Sequence, residues 1–260
     1  KTASGDYCVF LGNDDVLCPG ALKNLTEVIT RNKDVGVILR GYGWFNGAPD
    51  NVVQTVKYFA DERFMPAGLD SLSFFFRRSC VLAGLTLARK PALELETSKF
   101  DGSLFYQLHL VGNIILKHNG VFTPEIIALC RADEAPDFGH SNAEKGKYTP
   151  GEYTIDARIH MMTGIVTIAE AIDKTHKGAL AGILRDIANY SFPWLSYHAD
   201  KKYGIFKKYY STLGDMGLKS FPMFHVYYYL IVIFGAGRVE KLINFARNSL
   251  GYTPRLGGRK

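Results

Sequence analysis

At 260 residues the chain is long enough for one sizeable hydrophobic core, or for a core with an appendage. Its 47% hydrophobic and 22% charged content are those of a folded globular protein and exclude a disordered chain. The net charge of +6 points to an anionic partner, and nucleic acid, anionic lipid and a nucleotide diphosphate all meet that condition. The four cysteines, Cys8, Cys18, Cys80 and Cys130, form no C-x-x-C pair, so a zinc site is not expected and a reducing compartment is the simpler reading. No signal peptide is recognised. The residues that follow Lys1 read as the middle of a domain, and the expectation is a piece of a longer protein.

In chain order, Tyr7 to Leu11 is an apolar run with the length of one buried strand. Gly12-Asn13-Asp14-Asp15 breaks it. After Pro19 and Gly20, the residues Leu22, Leu25, Val28 and Ile29 recur at helical spacing, and Pro19 suits a first helical turn. The reading is strand, acidic turn, helix. Asp14 and Asp15 then lie just past the carboxyl end of a strand, where open α/β sheets place ligands. Adjacent carboxylates suit Mg²⁺ or Mn²⁺, and such an ion can hold a diphosphate. An Asn-Asp-Asp turn beside a glycine is also ordinary turn chemistry.

Asp34 to Phe45 reads as a strand interrupted by Gly36, Gly41 and Gly43, and Val52 to Phe59 as another. Asp101-Gly102-Ser103 precedes a helix that carries Leu104, Phe105, Leu108, Val111, Ile114 and Ile115, with Ser103 or Asp101 as its cap. Ile126 to Cys130 is a short strand ending at Arg131. Ala135 to Gly151 lacks periodicity and reads as a flexible loop or linker.

From Tyr153 the pattern turns helical, first over Ile155 to Ile172 and then over Leu180 to Ile187. Phe192-Pro193-Trp194 marks a break. Tyr203, Phe206, Tyr209 and Tyr210 alternate with Lys201, Lys202, Lys207 and Lys208, which suits either base stacking or a membrane interface. Phe221 to Phe234 is the most apolar run and is shorter than the ~20 residues that a spanning helix needs. Arg238, Lys241, Arg247, Arg255, Arg259 and Lys260 follow it, with Glu240 the only acid among them. Two readings stand for this region: an in-plane membrane anchor, or a buried helix of a C-terminal bundle.

The order Gly5-Asp6-Tyr7, apolar Cys8 to Leu11, Gly12-Asn13-Asp14-Asp15, Val16-Leu17-Cys18-Pro19 and Leu22 resembles the family 2 glycosyltransferases of the GT-A fold. Their pattern at this place is G-x-Y, an apolar run, D-x-D-D, x-L-x-P. Gly12 stands where that family has its first aspartate, a variant similar to the abequosyltransferase-like branch. The resemblance extends from Gly5 to about Asp133. It implies an α/β fold class: a partial GT-A (Rossmann-like) glycosyltransferase domain over residues 1–150, without its N-terminal nucleotide-binding strands. A helical region over 151–260, membrane-associated in one of the two readings above, would follow.

The activity implied is inverting transfer of a sugar from a nucleotide-sugar donor to a lipid-linked or polysaccharide acceptor. Asp14 and Asp15 would hold Mg²⁺ or Mn²⁺, Asp14 and Arg131 would bind the donor diphosphate, and Asp101 would be the general base, with Glu94 and Glu96 as substitutes. Phe74-Phe75-Phe76 would be a strand ending at Arg77 and Arg78. That pair would either reach an acceptor phosphate or lie solvated. Asp133 takes the place of a histidine that binds metal in some relatives. The expected location is cytoplasmic, peripheral at the inner face of the cell membrane, with no nucleic-acid partner. The alternative is a non-catalytic binding module that keeps the glycosyltransferase-like fold.

Overall fold

The computed structural model describes residues 2–135 and 138–253. The chain forms two compact units. One holds residues 2–99, 107–134 and 251–253, and the other holds 100–106, 135 and 138–250. Residues 138–150, read with the first domain in the sequence, belong to the second unit.

The first unit is mixed α/β. Its elements are β1 (Tyr7–Val9), β2 (Val16–Leu17), α1 (Ala21–Arg31), β3 (Val35–Phe45), β4 (Val52–Val56) and β5 (Arg63–Met65). They continue with α2 (Leu69–Arg78), β6 (Thr86–Ala88), α3 (Arg89–Glu94), α4 (Gln107–Ile115) and β7 (Asn119–Arg131). The two long strands, β3 and β7, pair in parallel along their whole length. Each carries two short antiparallel partners on its other edge. β6 and then β4 line β3, β5 and then β2 line β7, and β1 extends the sheet from β6.

Both faces of the β3–β7 pair are covered, which is why these strands read as near-continuous apolar runs. Val35, Ile38 and Val121 pack under Ala21, Leu25 and Val28 of α1. Phe122, the next residue on β7, points the other way, into a cluster with Tyr58, Phe59 and Phe74. The glycines expected to break β3 do not break it. They mark places where a neighbour comes close. Arg40 pairs with Thr123 and Gly41 with Ile126, so Pro124 and Glu125 bulge out of β7. A Cβ on Gly41 would sit 2.7 Å from the Pro124 carbonyl oxygen and 2.9 Å from that of Glu125.

Several expectations need correction. Phe74 to Phe76 lie on a helix, α2, not on a strand. Three consecutive buried phenylalanines fit a helix enclosed on most sides, and Ser73 and Ser79 hydroxyls bond the carbonyls four residues back. Arg78 is neither solvated nor open to a phosphate. It is buried, donates to the Phe74 carbonyl and stacks on Phe74 at 4.1 Å and on Tyr58 at 5.2 Å. Pro19 lies ahead of α1, whose N-cap is Gly20 at φ 79°. The helix expected from Leu104 begins at Gln107, because Leu104 takes a φ of 66°.

The second unit is helical. It contains α5 (Ile155–Thr175), α6 (Ala179–Asn189), α7 (Phe192–Ser196), α8 (Tyr203–Asp215), α9 (Pro222–Phe234) and α10 (Ala236–Leu250). The Thr154 hydroxyl caps α5 by accepting from the Ala157 N–H at 3.1 Å. The segment read as a bare loop is anchored here: Phe138 and Tyr148 are buried against Ala157 and Met161, with Leu104 and Phe105 beside them. Arg158 lies over three rings, at 4.1 Å from Tyr153, 4.7 Å from Tyr197 and 5.1 Å from Trp194. Among the described residues no helix is long and apolar enough to cross a membrane. Arg255, Arg259 and Lys260 of the expected basic tail lie outside the described residues.

Gly41→Ala should destabilise the protein by about 1–3 kcal/mol, because backbone carbonyls at a bulge cannot give way as a side chain can. Urea unfolding checks this. A midpoint equal to that of wild type would refute the close approach.

Candidate functional site: an acidic turn over a buried arginine

The acidic turn joins β1, at one side of the sheet, to β2, at the other. Between them the chain passes the β3–β7 pair. It is held by backbone bonds from Phe10 N–H to the Leu85 carbonyl, at 2.8 Å, and from Cys18 N–H to the Ile127 carbonyl, at 2.9 Å. Because β2 pairs with Ala128 and Leu129, the turn lies toward the carboxyl ends of the two parallel strands.

Within the turn the Gly12 N–H donates to Asp15 Oδ2 at 3.0 Å. A Cβ at residue 12 would sit 2.7 Å from that oxygen and 3.0 Å from Asp14 Oδ1. Both carboxylates therefore fold over the glycine. An aspartate at position 12, as the resembled family has, would meet them sterically and by charge. Gly12 is thus part of how this turn closes.

Beneath the turn lies a group that the sequence reading passed over. Arg40, on β3, is fully buried. Its guanidinium donates to the carbonyls of Ala83 and Val81, and its Nη1 has no hydrogen-bond partner among the described residues. Burial lowers its pKa, and Tyr58, Tyr42, Cys130 and Asp15 support its charge. Cys130, on β7, donates its S–H to the Asp15 carboxylate.

Asp15 is held above the ordinary carboxylate range. Burial is the main cause. The Asp14 charge adds to it, while the Gly12 N–H, the Cys130 thiol and Arg40 oppose it. Burial next to Asp15 pushes the Cys130 thiol up to about 12. The signal for Arg40 was faint in the sequence: one arginine inside an otherwise apolar strand, where a charge must find a partner.

Arg131 ends β7, pairs with Glu134 and rests over the Phe45 ring at 5.4 Å. Asp133 accepts from the Gly47 N–H at 2.8 Å. Glu94 and Glu96 are exposed near the end of α3. Asp101 is exposed and belongs to the second unit, ahead of Gly102, which packs against Ala143. Neither Asp101 nor Ser103 caps α4, which starts at Gln107. Gln107 instead donates to the carbonyls of Ser79 and Cys80 at the end of α2, at 3.2 Å each.

No protein-family model matches the sequence, and neither does any curated protein.

For Mg²⁺ or Mn²⁺ the available donors are the two carboxylates over Gly12. Hard oxygen ligands suit these ions, and magnesium is commonly held by one or two carboxylates with phosphate and water completing the shell. Asp14 and Asp15 fit that requirement at its lower limit, since one Asp15 oxygen already accepts from Gly12. Among the described residues no group of three or more such side chains gathers as a metal site.

Two outcomes follow from this chemistry. A carboxyl whose folded pKa is raised weakens the native state once it ionises. Stability is therefore lost as pH rises from the ordinary value of 3.8 through the folded value. Asp15→Asn should raise the urea midpoint at pH 7, and the gain should vanish below pH 3.8. A gain that persists in acid would point to a cause other than charge. In native protein at pH 8, Cys130 and Cys80, both raised to about 12, should resist a thiol-exchange reagent that labels them at once in denaturant.

Proposed function

We propose that this chain is a glycosyltransferase of GT-A type that moves a sugar from a nucleotide-diphosphate donor to a lipid-linked or polysaccharide acceptor. The observation that carries this reading is the pair of carboxylates, Asp14 and Asp15, folded over Gly12 toward the carboxyl ends of β3 and β7. Ligand sites of parallel α/β sheets lie there. The order of residues from Gly5 to Leu22 supports the same reading.

In this reading Asp14, with Asp15, holds a Mg²⁺ or Mn²⁺ ion. When bound, the ion offsets the negative charge that develops on the leaving diphosphate. Arg131 supplies a guanidinium for that diphosphate, which competes with Glu134 for it. The resemblance would assign the proton of the attacking acceptor hydroxyl to Asp101, a residue of the second unit. Arg40 touches no substrate. Its charge favours the ionised form of Asp15, against the larger effect of burial.

A non-catalytic binding module is the second reading. Gly12 favours it, because a ligand position of the resembled family is lost there.

Calorimetric titration of UDP and GDP with Mn²⁺ into full-length protein tests the proposal. Binding should require the metal and weaken at least about tenfold, or ~1.4 kcal/mol, in Asp14→Ala. Failure of every nucleotide diphosphate to bind would reject the donor site. Binding that survives Asp14→Ala would move the site away from this turn. Metal-dependent nucleotide binding with no sugar transfer to any acceptor would favour the binding module.

A further inference from the structure

We infer that α8, α9 and α10 of the second unit form a docking face for an anionic lipid bilayer, seated in the plane of its surface. The inference does not rest on the sugar-transfer reading.

It begins with α9. Thirteen residues, Pro222 to Phe234, contain no Asp, Glu, Lys or Arg. One stripe is core: Phe224, Tyr227, Tyr228 and Ile231 are buried. The stripe beside it faces out and is still apolar. Val226, Tyr229, Val232 and Ile233 are exposed, Tyr229 by 57% and Ile233 by 67%. A surface helix of a globular protein normally carries charge there. His225 does not supply polarity to that stripe, because its ring is engaged by the Tyr210 hydroxyl and the Lys219 carbonyl.

The next helix repeats the pattern. Phe234 at the end of α9 is exposed, Gly235 turns the chain, and on α10 Leu242 and Phe245 are exposed by 65% and 71%. On α8, Tyr203 and Ile205 are exposed as well. Val239 is the buried residue of α10, so that helix presents most of its surface outward.

Charge decides what covers this face. Residues 201–250 hold eight Lys and Arg against two acids, Asp215 and Glu240. Residues 1–200 hold 20 Lys and Arg against 23 acids. The positive charge of the chain is thus segregated onto the helices that expose apolar side chains. Lys207, Lys208, Arg238 and Lys241 all stand exposed there.

A second copy seated on this face would bring the same basic set against itself. A nucleic acid would answer the charge but leave Val232 and Ile233 in water. Anionic headgroups over an acyl layer answer both, and tyrosine with lysine is the composition that settles at that boundary. Crossing is excluded for α9 by length. Thirteen residues at about 1.5 Å each reach about 20 Å, short of the ~30 Å hydrocarbon layer.

The test is co-sedimentation of the whole protein with vesicles of phosphatidylcholine alone and of phosphatidylcholine mixed with phosphatidylglycerol. Wild type should bind the anionic vesicles and not the neutral ones. The triple variant Ile233→Ser, Phe234→Ser, Phe245→Ser should bind at least about tenfold more weakly, with its urea midpoint unchanged because all three positions are exposed. Charge reversal at Lys207, Lys208 and Lys241 should also weaken binding, and raised salt should mimic it. A Tyr229→Trp reporter should shift its emission to the blue on binding and be quenched by brominated acyl chains.

Equal binding to neutral vesicles would overturn the inference. So would an unaffected triple variant or an unquenched reporter. A soluble dimer that the triple variant disperses, with no vesicle binding by wild type, would assign the face to a second copy and overturn it too.

Discussion

The first unit depends on one constraint: β3 and β7 run parallel and are covered on both faces. Neither strand can turn polar on alternate residues, so each must be apolar for most of its length. Any departure from that pattern has to be met locally. Gly41 departs because the Pro124–Glu125 bulge on β7 brings two carbonyls against it. Gly120 departs because the Phe75 ring lies where its side chain would be. Arg40 departs as a charge, and the carbonyls of Val81 and Ala83 meet it.

Arg40 and the acidic turn are best understood together. A buried guanidinium that keeps its charge needs acceptors or counter-charge. Two loop carbonyls, of Val81 and Ala83, provide the first, and Asp15 provides part of the second. Asp15 in turn is desolvated and next to Asp14, a combination that would favour its neutral form. The cation beneath and the Gly12 N–H above oppose that tendency. The loop before β6 and the middle of β3 are joined through the Arg40 hydrogen bonds, and the turn faces the same guanidinium through Asp15.

The second unit solves a different problem, that of many aromatic hydroxyls and cations in a small helical core. Tyr209 and Tyr227 place their hydroxyls on the carbonyls of Trp194 and Asn189, at 3.1 and 3.0 Å. Arg158 stacks on three rings. This unit leaves α9 and α10 with outward faces that carry unmatched apolar surface.

The sequence alone determined the elements whose pattern is local and long. The strand at Tyr7, the helix after Gly20, the run Val35 to Phe45, and the helices from Ile155 and Leu180 follow from periodicity, since side chains on one element report its own covered faces, whereas β2 between the acidic turn and α1 was not read. The two carboxylates of the turn were legible for the same reason: they adjoin in sequence. The tertiary structure alone decided the rest. Phe74 to Phe76 are equally apolar as strand or helix when all sides are covered, so only the packing around α2 chooses. The three-residue strands β5 and β6 are too short to show a period and exist because β7 and β3 offer edges to pair with. The join of Asp15, Cys130 and Arg40 spans residues far apart in the chain. It exists only because the turn from β1 to β2 passes over the two parallel strands, a closeness in space that no spacing along the chain records.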